Sequence, residues 1–203
     1  MKKLLLGAAL ACGLASTGRP VAAITLTLEP DLVMVGVGGE VAIALVASGL
    51  GDGQAPSIGA FDLDVSFDPL GLALVGVDFG TALGDPDAVP SEVLTAAAAV
   101  GDLADVAALS LLDAAVLDGL QGASVELAVL RFQALRAGVV DLAIVLDGAA
   151  ELDDADGLAL PIDAAYGTST EVVPEPASLA MLLASLATLA VFRGAARRDR
   201  ARP

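Results

Sequence analysis

Alternation of apolar and polar side chains runs through the middle of this chain and sets its secondary structure. In FDLDVSFD, residues 61–68, Phe61, Leu63, Val65 and Phe67 alternate with Asp62, Asp64, Ser66 and Asp68. A period of two places the four apolar side chains on one face of a half-buried strand and the polar set on the other. The 3.6-residue period of an amphipathic helix does not produce that pattern. ITLTLEP (24–30) alternates Ile24, Leu26 and Leu28 with threonines. EVAIALVAS (40–48) is apolar on both faces, as a central strand of a sandwich is. LALVGVDF (72–79), SVELAVLRFQAL (124–135) and GVVDLAIVLD (138–147) extend the series.

Between these runs lie VGVGG, GLGDGQAPS, DPLG, RAG and DDADG, whose glycine, proline and aspartate content marks turns. Many short strands with such punctuation predict an all-β sandwich or barrel. The alanine- and leucine-rich stretch 90–122 is the exception. There Ser91 or Asp113 is suited to cap a helix and Gly119 to end one. VAALSLL (106–112) reads as a strand and Asp113 to Leu120 as a short helix. No internal repeat of 20 to 50 residues is visible in the chain.

Charge narrows the function. From Ile24 to Pro176 there are 25 carboxylates against two cationic residues, Arg131 and Arg136, a net of −23. Such a surface repels phosphate, which argues against nucleic-acid binding, and keeps a domain dispersed in solvent. Histidine is absent, and Cys12 is the single cysteine. The commonest general base and metal ligand is therefore missing, and Ser–His and Cys–His catalysis are excluded within the chain.

The two ends differ from the middle. Lys2 and Lys3 precede the apolar run Leu4–Leu14, and Val21 and Ala23 are small residues placed for signal peptidase to cut before Ile24. A lipoprotein cut before Cys12 fits less well, because Ala9 and Leu10 are poor residues at the positions ahead of it. At the other end Pro174, Glu175 and Pro176 are followed by 16 uncharged residues, Ala177–Phe192. Arg193, Arg197, Arg198, Arg200 and Arg202 come next. A spanning helix needs roughly 20 residues, and Gly194, Ala195 and Ala196 extend the run if Arg193 snorkels. The prolines bound the helix on the outer side, and the arginines keep its far end cytoplasmic.

The order Pro-Glu-Pro, apolar stretch and arginine cluster over residues 172–203 resembles the PEP-CTERM sorting signal of Gram-negative, biofilm-forming bacteria. That resemblance implies recognition by an exosortase in the inner membrane, cleavage near the motif and onward transfer, so that the anchor is temporary. The division expected is a signal peptide at 1–23, one exported domain at 24–168 and a sorting segment at 169–203. With about 145 residues, the domain is large enough for a sizeable core.

GAFDLDVSFDPLGLALVGVDFG (59–80) is similar to the early strands of cohesin-like domains: an alternating aromatic strand turns through Asp68-Pro69 into an apolar one. SLLDAAVLDGLQGASVELAVLRFQALRAGVVDLAIVL (110–146) resembles their later part, with Phe132 and the Ala137-Gly138 turn. The resemblance implies a jelly-roll β-sandwich of about nine strands, related to carbohydrate-binding modules. Cohesins proper bind dockerin modules through one sheet face.

Three patterns merit chemical consideration. ELDDADGLALPID (151–163) offers Asp153, Asp154 and Asp156 to calcium. In EF-hand register, however, the first ligand position falls on Leu152 and the twelfth on Asp163. The plainer reading is an acidic turn with Gly157 between two strands. Asp62, Asp64 and Asp68 share a strand face at about 6–7 Å per alternate position, but without a surrounding cleft they are weak evidence for glycoside hydrolysis. VGVGGE (35–40) has neither the spacing of a dinucleotide fingerprint nor a lysine, and reads as a turn. Sugar binding favours exposed aromatic platforms. Phe61, Phe67, Phe79 and Phe132 fall in core patterns, and Tyr166 alone looks free.

The expectation is thus an exported, non-enzymatic adhesion or matrix module. It is anchored at least transiently in the inner membrane and handled by signal peptidase and an exosortase. A carbohydrate-binding module with a weak calcium site is the runner-up, and a glycosidase the third reading. Exopolysaccharide and a dockerin-like protein are the partners considered.

Overall fold

The computed structural model describes residues 23–146 and 151–174, together with Met181 and Ser185. In chain order the strands begin with β1 (Ile24–Pro30), β2 (Met34–Gly36), β3 (Glu40–Ser48), β4 (Ile58–Ser66), β5 (Leu72–Phe79), β6 (Val93–Val100) and β7 (Leu103–Ser110). After the helix α1 (Ala114–Leu120) come β8 (Ser124–Ala134), β9 (Gly138–Val145), β10 (Glu151–Asp154), β11 (Ile162–Tyr166) and β12 (Thr168–Val173).

These strands form two sheets. One has the order β11-β1-β3-β8-β5; the other has β2-β12-β9-β4-β7-β6, with β10 pairing the half of β4 that β9 leaves free. The β1/β11 and β2/β12 pairs are parallel, and the other ladders are antiparallel. Period-two burial packs the sheets face to face. β3 contributes Val41, Ile43, Leu45 and Ala47, and β4 contributes Phe61, Leu63 and Val65, all buried. As its two apolar faces require, β3 is central, between β1 and β8. Phe67 and Phe132 meet within the core with ring centroids 5.1 Å apart. On β8 the alternation slips: Leu127 and Ala128 are both buried, at a bulge opposite Leu45 and Val46. The extra residue resets which side chains face inward.

The sequence reading is amended in four places. Among the described residues there are twelve strands rather than about nine. β2 and β10 span only three and four residues, too few for an alternation to show. The alanine-rich stretch after Ser91 is β6, not a helix, because pairing with β7 overrides alanine's helix preference. Ser91 caps no helix; its hydroxyl donates to the Val93 carbonyl at 2.8 Å. Asp113 does stand at the N-cap of α1 but makes no side-chain cap bond, and the helix passes Gly119 to end at Leu120. Finally, the sandwich continues beyond residue 168. Thr170 and Val172 of β12 are buried, and the strand runs up to Pro174.

The segment read as a signal, up to residue 22, lies outside the described residues. So does the apolar tail, apart from Met181 and Ser185, which are helical. No helix among the described residues is long and apolar enough to cross a membrane.

Candidate binding face

With Phe61, Leu63 and Val65 turned inward, β4 presents Ala60, Asp62 and Asp64 on the outer side of its sheet. Register determines what stands beside them. Asp62 is opposite Ala107 of β7 and Glu151 of β10, and Ala60 is opposite Leu109 and Asp153. β6 then sets Ala96 beside Ala107 and Leu94 beside Leu109. Small side chains keep the middle of this surface low, leaving an open groove of about 320 Å³. Leu94, Ala96, Ala107 and Leu109 line its apolar side, and Asp62, Glu151 and Asp153 its acidic side.

The acidity continues one step along the strands, where Asp64 lies opposite Asp105. Partial burial, the nearby charges of Asp62 and Asp64, and a hydrogen bond with Asp62 hold the Asp105 carboxyl above its usual range. The domain's cations are engaged elsewhere. Arg131, on the other sheet, pairs with Asp78 and, at 3.3 Å, with Glu40; Arg136 is 3.7 Å from Asp68. An apolar strip bordered by carboxylates that, among the described residues, have no counter-ion can recognise a partner that brings its own apolar and basic groups.

The residues singled out from sequence divide between this face and other places. Asp62, Asp64 and Asp153 come together on it. Asp68 does not share it: β4 ends at Ser66, and Asp68 Oδ1 instead accepts the Leu70 N–H at 2.9 Å in the following turn. Asp154 Oδ1 accepts the backbone N–H groups of Asp156 and Leu158, at 2.9 and 2.8 Å, around Gly157 at φ +76°. Asp154 and Asp156 thus belong to a turn while Asp153 stays in β10 beside the groove, and among the described residues no cluster of three or more acidic side chains is arranged to hold a metal ion. The segment 35–40 runs from β2 through the turn at 37–39 into β3, with Gly38 at φ +82°. Phe61, Phe67 and Phe132 are core residues and Phe79 packs against them, whereas Tyr166 is exposed.

Sequence reasoning passed over Leu94, Ala96, Ala107, Leu109 and Glu151. A signal existed in LADVAALS, where buried Ala104, Val106 and Ala108 alternate with Asp105, Ala107 and Leu109. Small residues on both faces made that alternation faint.

No family model and no curated protein matches the chain. Solved structures do. A type I cohesin–dockerin complex from Clostridium thermocellum aligns with TM-score 0.57 at 10% identity, over 74% of this chain and 99% of that one. The cohesin module of a Clostridium perfringens family 33 glycoside hydrolase gives 0.56 at 12%, over 76% and 98%. The seventh ScaB type I cohesin from Pseudobacteroides cellulosolvens gives 0.57 at 16%, over 76% and 94%. At such identities the likeness is one of architecture, and the architecture of this chain is the cohesin-like β-sandwich.

Proposed function

We propose that the chain is an exported, non-catalytic binding module that docks a protein partner through the outer face of β4, β7 and β6. The observation that carries the reading is the groove: an uncharged strip of Leu94, Ala96, Ala107 and Leu109 beside carboxylates that have no counter-ion among the described residues, on a cohesin-like sandwich. Similar structures include cohesins complexed with dockerins. A dockerin-like polypeptide with an apolar stripe and basic residues matches both sides of the groove. The ordered signals at the two ends support export and exosortase sorting, which would present the module on the cell surface or in a polysaccharide matrix.

The test is binding of the chain to dockerin-type polypeptides of its own cell and, separately, to the cell's exopolysaccharide. The reading expects protein binding that Leu109→Arg abolishes and Thr27→Arg, on the opposite sheet, leaves intact. Retention on polysaccharide, insensitive to Leu109→Arg and without a protein ligand, would favour the carbohydrate-binding alternative. Intact mass of the envelope protein tests the sorting: a mass ending near Pro176 is expected, and one retaining the arginines would mean a permanent anchor.

A further inference from the structure

β6 is an unusual edge for so acidic a domain. From Leu94 to Val100 its residues are exposed, with Leu94 at 54% and Val100 at 74%. From Val93 to Val100 it holds no charge, no proline and no register shift against β7. Edge strands of monomeric proteins commonly carry charges, prolines or bulges that discourage pairing. The acidic residues nearest in sequence, Glu92 and Asp102, stand just beyond its ends.

The backbone on this edge is also available. The Glu92 carbonyl accepts the Leu111 N–H at 2.7 Å, so even-numbered positions of β6 bond toward β7 and odd-numbered positions point outward. The Val93 carbonyl receives the Ser91 hydroxyl. Among the described residues no strand pairs with the outward groups of Thr95, Ala97 and Ala99.

We propose that β6 pairs antiparallel with β6 of a second copy of this chain, giving a two-fold dimer with one continuous sheet. Charge identifies the occupant. A basic strand would find no counter-charge along these eight residues, whereas an identical uncharged strand buries no charge at all. With no carboxylate from Val93 to Val100, it also lets two copies, each of net −23 from Ile24 to Pro176, approach without opposing carboxylates along the strand. A two-fold axis normal to the sheet makes residues of the same face oppose one another, so the register centres on a residue. Centred on Ala96, it sets Leu94 against Ala98 and Glu92 against Val100, and keeps Glu92 clear of Asp102. Eight residues a side fall well short of the roughly 20–30 of a standard interface, so the pairing is weak in solution, with Kd of about 10–1000 μM. It strengthens where copies are concentrated on a surface.

Sedimentation of the full chain in mild detergent tests this across that concentration range. A monomer–dimer equilibrium is expected. Ala97→Pro removes one outward N–H while sparing the ladder to β7, and should abolish the dimer. Ala96→Asp and Ala96→Lys, which set like charges about 5 Å apart on the axis, should each be monomeric. Their equimolar mixture should dimerise again, a rescue that misfolded variants cannot give. A wild-type chain that stays monomeric overturns the proposal. So does a dimer that survives Ala97→Pro, or a mixture of the two Ala96 variants that fails to associate.

Discussion

Gln121 is a polar side chain only 2% exposed, and its three hydrogen bonds explain why it stays folded inward. Its Oε1 accepts the Ile58 N–H at 2.7 Å, while Nε2 donates to the Ile58 and Ala82 carbonyls at 2.7 and 3.1 Å. Beside it the Ser57 hydroxyl donates to Asp118 Oδ1 at 2.6 Å. The short helix α1 is thereby fastened to the start of β4. Removing a partner from buried groups costs more than making the bond gains, because the orphaned groups stay desolvated. Gln121→Ala should therefore destabilise the domain by about 2–4 kcal/mol in urea titration, while exposed Gln133→Ala should stay within about 0.5 kcal/mol. Nothing in the one-dimensional pattern marked Gln121, since its partners lie some sixty and forty residues away in the chain.

Asp105 carries a pH signature of known sign. Its folded-state pKa lies above the ordinary 3.8, so the folded protein disfavours its charged form. The resulting penalty is present at neutral pH, shrinks as pH falls through the raised pKa and is gone below about 3.8. Asp105→Asn should raise the thermal midpoint by about 1–2 °C at pH 7 and leave it unchanged near pH 3. A melt at each pH checks both halves of that statement.

Among the elements, β4 was readable because Phe61, Leu63 and Val65 make a period of two plain, and β3 because its run EVAIALVAS is apolar on both faces. The helix α1 was readable from its position after Asp113. β6 was not, since VLTAAAAV has no alternation to offer and alanine favours helix. Its conformation is imposed by β7, which is in turn held by β4. A peptide of residues 90–112 should accordingly lack hairpin structure by circular dichroism, isolated hairpins being marginal at best. A stable hairpin in that peptide would show that β6 needs no support from the sheet. The binding face shares this opacity. The alternation in β4 exposes Asp62 and Asp64 to the reader, but only the β4–β7–β6 register brings Leu109 and Leu94 beside them.

For the molecule as a whole, fold class followed from strand count and turn chemistry, whereas the partition into sheets did not. Partition depends on pairings far apart in the chain, such as β1 with β11 and β2 with β12. TSTEVV reads as a polar linker until Thr170 and Val172 are seen facing the core. Ending the chain at Gly167 should therefore expose Val35 and Val140 and abolish cooperative thermal unfolding. A sharp transition in that truncation would place β12 outside the core.

The strand that completes the larger sheet is also, among the described residues, the last in chain order. β2 waits for Val172 and Val173, so a polypeptide emerging amino end first cannot close this sheet until residue 173 is out. Until then the outlets of Val35 and Val140 stay wet, and the nascent domain is open to proteases and holdases. A stalled intermediate halted just short of Thr168 is the species in which quality-control factors would find their target.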